Sequence, residues 1–289
     1  MDFRAILMGL AFALMWSSAF TSARIIVADA PPLLSLSLRF LISGLLGILI
    51  ARMLGQTWKL TRAQWRATWI FGICQNALYL GLNFVAMQWI EASLAAIIAS
   101  TMPLLVALVG WLVFKDRVPL IGMIGLVAGI AGVVLIMGSR ISGGVDVLGV
   151  VFCLIGAMAL TFATLSVKGA ASGGNVLMIV GLQMLIGSAC LFAVAVPLET
   201  WDVTLSPTWI AAFVYTTLVP GLLATWVWFM LVGRVGAVKA STFHFLNPVF
   251  GVGIAAVLLG ESIGMTDLIG VLIIAGGILA VQLAKQKII

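Results

Sequence analysis

From Leu120 to Gly138 the chain runs nineteen residues without a charged or strongly polar side chain, and runs of this kind recur from end to end. About 20 apolar residues are what a helix needs to cross a hydrocarbon core of about 30 Å. Membrane-crossing barrel strands are shorter and alternate apolar with polar positions; these runs do neither. Of all residues, 63% are hydrophobic and 8% are charged, against roughly 25% charged in a soluble domain. So few charges cannot cover a water-facing surface.

Apolar runs bounded by charge, Pro or Gly place ten helices, near residues 4–24, 33–53, 67–89, 92–114, 119–138, 147–168, 176–197, 208–231, 237–259 and 266–285. The fold class read here is an all-α integral membrane protein with ten transmembrane helices in two inverted five-helix repeats. The longest polar connection, "ARMLGQTWKLTRAQWRA", follows the second span, and no soluble domain fits between any two spans. The first run is too long for a leader core and continues into the multi-span pattern, so it is read as a retained helix. Cys74, Cys153 and Cys190 lie in apolar runs without metal-like spacing and are read as small hydrophobes.

Lys and Arg placement sets orientation. With the N-terminus cytoplasmic, twelve of the fifteen basic residues fall on the cytoplasmic side. Arg24 and Arg140 fall outside, and Arg39 lies within the second span. Both termini are then expected in the cytoplasm. The net charge of +6 reflects this topology rather than a nucleic-acid partner.

Shifting the sequence by 145 residues lays 92–118 over 237–263. Pro103 meets Pro248, Asp116 meets Glu261, and Gly125 and Gly132 meet Gly270 and Gly277. The expected division is a first five-helix repeat over 1–140 and a second over 141–289. Five spans is an odd number, so the second repeat sits upside down relative to the first. Inverted repeats can form a site between them and expose it alternately to either side.

Polar groups inside a span face the bundle interior or water, because lipid cannot satisfy them. In the third span Gln75, Asn76, Tyr79 and Asn83 fall at a helical spacing, as pathway lining or as interhelical hydrogen bonds. Trp16 lies mid-span, away from the interfacial belt where Trp is usual, beside Ser17, Ser18, Thr21 and Ser22. Trp226 and Trp228 point to nearly opposite sides of a helix, so at most one faces the centre; Trp228 matches Asn83 under the 145 offset and is preferred. Thr225 lies beside these tryptophans in the eighth span; Thr161 and Thr164 in the sixth are weaker candidates, since either can bond its own backbone. Arg39 either snorkels to the interface or holds a substrate carboxylate or a neighbouring carbonyl.

The stretch "FHFLNPVFG" (243–251) interrupts an otherwise apolar run. Pro248 cannot donate to the carbonyl of His244, and Pro103 likewise releases the carbonyl of Ala99. Matched kinks with free acceptors are expected there, and such interruptions point to a binding site. His244 and Asn247 share one face. The candidate substrate-binding set is therefore Trp16, Gln75, Asn76, Tyr79, Asn83, Trp228, His244 and Asn247, with Pro103 and Pro248 as kinks or gates. The Gly-rich fifth and tenth spans are read as supports outside the pathway.

Ten spans in two inverted halves resemble the drug/metabolite transporter superfamily, EamA type. The marks are the blocks Pro103…Asp116 and Pro248…Glu261, the following Gly-rich helices "GMIGLVAGIAGVVLI" and "DLIGVLIIAGGILAV", "WSSAF" in the first span, and Arg39. The first-half acid is Asp116 where Glu is usual. Within the superfamily the chain is similar to aromatic amino-acid exporters. The resemblance implies a bacterial inner-membrane protein moving amino acids outward.

No Asp or Glu lies at mid-membrane, where proton and sodium relays are common. This favours a facilitator, with His244 as the one titratable candidate for proton coupling. Without fixed acids, the residues themselves suit a small, mostly neutral solute. No P-loop, metal cluster or catalytic constellation appears, so no enzymatic activity, catalytic residue, metal or cofactor is expected. The expected partners are the small-molecule substrate and the lipid bilayer, with no nucleic acid. Oligomeric state is not legible, and a monomer is compatible with the pattern. A multidrug or other metabolite exporter, including a proton-coupled one, is an alternative. A membrane scaffold or sensor without flux is another.

Overall fold

The computed structural model describes residues 3–115, 118–166 and 175–286. Among them, ten helices are long and apolar enough to cross a membrane: α1 Phe3–Asp29, α2 Pro32–Met53, α3 Arg62–Ala86, α4 Ala92–Val113, α5 Leu120–Ser142, α6 Val147–Leu165, α7 Val176–Leu198, α8 Pro207–Val235, α9 Lys239–Leu259 and α10 Met265–Ala284. The described residues contain no strand. Asp116, Arg117, Lys168 and Lys287, which entered the repeat and charge arguments, lie outside them.

Each helix matches a predicted span, and the differences have local causes. Helix α1 continues past Arg24 to Asp29, and the Arg24 guanidinium donates to the carbonyl of Met87, just past the end of α3. Helix α3 starts at Arg62, ahead of the predicted 67, because Thr61 and Gln64 cap each other. The Gln64 N–H donates to Thr61 Oγ1 at 3.2 Å, and the Thr61 N–H donates to Gln64 Oε1 at 2.9 Å. Two orphan N–H groups of the first turn are thereby satisfied.

Small residues set the packing. A Cβ on Gly132 would lie 2.9 Å from the carbonyl oxygen of Gly270, so α5 and α10 touch backbone to backbone. Helices α2 and α7 approach at Gly44 and Gly181, and two serines lock them. Ser37 Oγ donates to the Ser188 carbonyl at 2.9 Å, and Ser188 Oγ donates to the Ser37 carbonyl at 2.8 Å. Helix α6 lies on α3, with Gly156 against Tyr79 and Asn83, and α1 packs on α8 and α9. Each of these contacts joins a helix from before residue 140 to one after it. The outward faces stay apolar: Leu120, Val127, Val134 and Val257 are exposed, as lipid contact requires.

Local devices recur at the 145-residue offset. Thr61 caps α3 through the Gln64 N–H, and Ser206 caps α8 through the Trp209 N–H at 3.0 Å. Helix α3 widens to π geometry over Gly72–Leu80, and α8 does so over Thr217–Leu223. Helix α4 breaks at Thr101 ahead of Pro103, and α9 tightens to a 3₁₀ turn over Thr242–Leu246 ahead of Pro248.

Candidate functional site

A central cavity of about 540 Å³ lies between α1, α2, α3, α4, α6, α7, α8 and α9. No residue of α5 or α10 lines it, which suits their expected part as supports. Among the predicted residues, Trp16, Gln75, Asn76, Tyr79, Trp228, His244, Asn247 and Pro103 are on its wall. Asn83 and Pro248 are not, although both are buried.

The wall has an aromatic side built around Phe12. Its ring lies 5.7 Å from Trp16, 4.7 Å from Trp228 and 5.5 Å from His244, centroid to centroid. Trp228 and His244 stack 5.3 Å apart with planes at 18°. Trp226 is 56% exposed on the outer surface, so Trp228 is the tryptophan facing inward. Phe12 was missed in the sequence; its spacing of four from Trp16 was the available signal.

The break in α9 positions Asn247. Its backbone carbonyl accepts from Ser17 Oγ at 3.2 Å, and its side-chain nitrogen lies 3.4 Å from His244 Nδ1. Its Oδ1 is buried without a hydrogen-bond partner. The expected free carbonyl at His244 is not observed: it accepts from the Asn247 N–H, because the 3₁₀ turn shortens the bonding register by one residue. In α4 the Thr101 N–H bonds Ile98 O at 3.1 Å in the same tightened manner.

The third-span stripe is rearranged. A π segment bonds i to i+5 and holds an extra residue per turn, so residues beyond it rotate away from an α-helical extrapolation. Gln75, Asn76 and Tyr79 stay on the cavity wall. Asn83 turns to α6: its amide donates to Tyr79 O at 2.7 Å, and its Oδ1 accepts from Cys153 Sγ at 3.4 Å. Asn76 lines the cavity and also clamps α3 to α7 by donating to Gln183 O at 2.9 Å. In α8 the π widening has a visible cause, since Pro220 removes an i−4 donor and crowds the preceding turn. The sequence reading passed over Pro220, which lines the cavity with Gly221 and Thr225. Thr164 also lines it, whereas Thr161 does not.

The lining is lopsided along the bundle axis. Ala67 and Phe71 near the start of α3, Val176 and Ile179 at the start of α7, and Thr164 at the end of α6 all belong to it. These positions share the expected cytoplasmic face. The opposite face is tied shut. Arg140 Nη1 lies 2.6 Å from Glu91 Oε2, and Nη2 lies 2.9 Å from Asp267 Oδ2. Glu261 accepts from the Ala92 and Ser93 N–H groups at 2.8 and 3.0 Å, Glu199 accepts from Leu33 and Leu34 at 2.8 Å each, and Asp29 accepts from Ser206 Oγ at 2.6 Å.

Among the described residues, ten apolar helices, eight of them enclosing a central cavity with one aromatic side, make the architecture of a multi-pass membrane protein. The model of the EamA-like transporter family matches residues 3–138 and again 147–283, and the chain belongs to that family. The uncharacterized transporter YvbV of Bacillus subtilis (strain 168) is 28% identical over 279 residues, covering 95% of this chain and 90% of its own. The uncharacterized inner membrane transporter YedA of Escherichia coli (strain K12) is 26% identical over 294 residues, covering 99% and 94%. Protein PecM of Dickeya dadantii (strain 3937) is 24% identical over 273 residues, covering 93% and 89%. A protein of known crystal structure, 21% identical, superposes with a TM-score of 0.67 over 100% of this chain and 99% of its own, and shares the fold.

Proposed function

We propose that the protein exports small, mostly neutral metabolites, first among them aromatic and other apolar amino acids, by alternating access around the central cavity. The observation that carries this reading is the character of the wall. Phe12, Trp16, Trp228 and His244 supply flat apolar surface, Gln75 and Asn247 supply dipoles, and no carboxylate lines the cavity among the described residues. A volume of about 540 Å³ falls within the range of roughly 300–1,000 Å³ usual for small-molecule sites. The cargo class takes up the likeness to aromatic amino-acid exporters read in the sequence, and kinship with the exporter YddG in particular is part of the proposal. YedA, named an inner membrane transporter, supports a bacterial inner-membrane location, and the placement of Lys and Arg supports cytoplasmic termini.

Residues 1–140 and 141–289 act as two inverted repeats that rock against each other. Support comes from the family match on either side of residue 140 and from the π segments, helix caps and proline breaks spaced 145 apart. Transport runs down the substrate's own gradient. The test is counterflow in proteoliposomes held without a proton or sodium gradient. Vesicles loaded with unlabelled phenylalanine accumulate labelled tracer transiently if this reading holds. Folded protein that accumulates none, while ion gradients are absent, rules out an uncoupled amino-acid carrier.

A further inference from the structure

Arg39 lies about two turns into α2, on the cavity wall, and only 6% of it is exposed. Its Nε is buried without a hydrogen-bond partner. Among the described residues no carboxylate pairs with Arg39, so nothing answers its charge. The guanidinium lies over the Phe40 ring at 5.2 Å, a contact too weak to replace hydration. Snorkelling is not observed, since the side chain is buried. An unpaired charge in this position is strongly unfavourable, and ionisable groups kept inside a membrane bundle mark substrate paths.

The surroundings leave room for an anion. Ser43, one turn further along α2, is also buried with its Oγ unpartnered. Facing both is Gly221 in the π segment of α8. A Cβ there would lie 3.5 Å from Arg39 Nη2 and 3.6 Å from Ser43 Oγ. The π segment thus presents a residue with no side chain to the two unpaired donors.

We propose that Arg39, with Ser43 beside it, receives the carboxylate of the transported solute, so that a carboxylate is required of the cargo and an ammonium group is not. This rests on the reading of the cavity as the transport site. It goes further by fixing which end of an amino acid is recognised. The guanidinium fork pairs with a carboxylate through two parallel hydrogen bonds, while the apolar body lies against Phe12, Trp16 and Trp228. An ammonium group meets only aromatic faces and dipoles, because no acid lines the cavity among the described residues. Apolar monocarboxylates without an amine therefore belong to the substrate range.

The test uses the cavity tryptophans as reporters. Purified protein in nanodiscs is titrated with L-phenylalanine, L-phenylalaninamide and 3-phenylpropionate, and quenching of tryptophan emission is followed. Phenylalanine and 3-phenylpropionate are expected to bind within about tenfold of each other, and the amide about 30-fold more weakly, as for loss of a charge-assisted hydrogen bond. Arg39→Gln is expected to abolish that acid-over-amide preference, and Arg39→Lys to keep part of it. Equal binding of acid and amide by the unaltered protein overturns the proposal without any variant. So does a preference that survives in folded Arg39→Gln. Binding of 3-phenylpropionate without phenylalanine would sustain the Arg39 assignment while removing amino acids as cargo. Failure of all three ligands to bind folded protein overturns both.

Discussion

Gly277 on α10 and Gly125 on α5 meet with no space between them: a Cβ added to Gly277 would fall 2.6 Å from the carbonyl oxygen of Gly125. The contact is backbone on backbone, so neither side can yield by rotating a side chain. Gly277→Leu is expected to lower stability by at least the ~1–3 kcal/mol typical of overpacking. Gly276→Ala meets nothing within 4 Å and should leave the melting temperature in detergent unchanged or slightly raised. Equal melting of Gly277→Leu and the unaltered protein would show that α5 and α10 do not pack this way.

The stacked pair Trp228 and His244 forms one wall of the cavity, while Trp226 faces outward. Trp228→Ala should lower kcat/KM for phenylalanine about tenfold, from lost ring contact. Trp226→Ala should leave it within twofold. The comparison is made by counterflow at several substrate concentrations, with both variants checked for monodispersity.

Asn83 and Asn247 are expected to behave differently, although both are buried amides. Asn83→Ala loses bonds to Tyr79 and Cys153 and should cost about 1 kcal/mol of stability with KM unchanged. Asn247→Ala removes a cavity-facing amide and should raise KM about tenfold. A raised KM in Asn83→Ala at intact stability would return that residue to the pathway.

These two asparagines also mark what the sequence could and could not disclose. The spans were legible because length and hydropathy are set by the bilayer alone. The matched prolines were legible because they have one backbone consequence each. The π segment in α3 carries no local signal: "GICQNALYL" contains no proline, and its widening accompanies the close approach to α7, where Asn76 bonds Gln183. An α-helical count through it therefore misplaced Asn83. Trp228 lies on the cavity wall and Trp226 on the outer surface, while Asn83, the residue paired with Trp228 at the 145 offset, does not line the cavity. Phe12 shares a helix face with Trp16 through its spacing of four, but for Pro220 no local pattern separates a residue on a cavity wall from one in a core.

Arg140 holds Glu91 and Asp267 together at the face opposite the cavity's reach. If that face must open for alternating access, the triad opposes the opening. Arg140→Gln should therefore raise the reaction rate of a membrane-impermeant thiol reagent with Phe20→Cys, applied from the Arg140 side, by several-fold. Asp267 is buried and Glu91 partly exposed, and a buried carboxylate left without its partner is destabilising, so the rate is compared in protein whose melting temperature shows it folded. An unchanged rate would show that the triad does not restrain opening.

The central claim is that solute crosses through this cavity. The most direct measurement places one thiol on the wall, Gln75→Cys, in a chain whose Cys74, Cys153 and Cys190 are replaced by Ala. Counterflow of labelled phenylalanine is followed before and after reaction with a bulky thiol reagent. The expected result is counterflow before labelling, loss of counterflow after it, and protection from labelling by excess phenylalanine. Transport that persists after complete modification of the Gln75→Cys thiol would contradict the account.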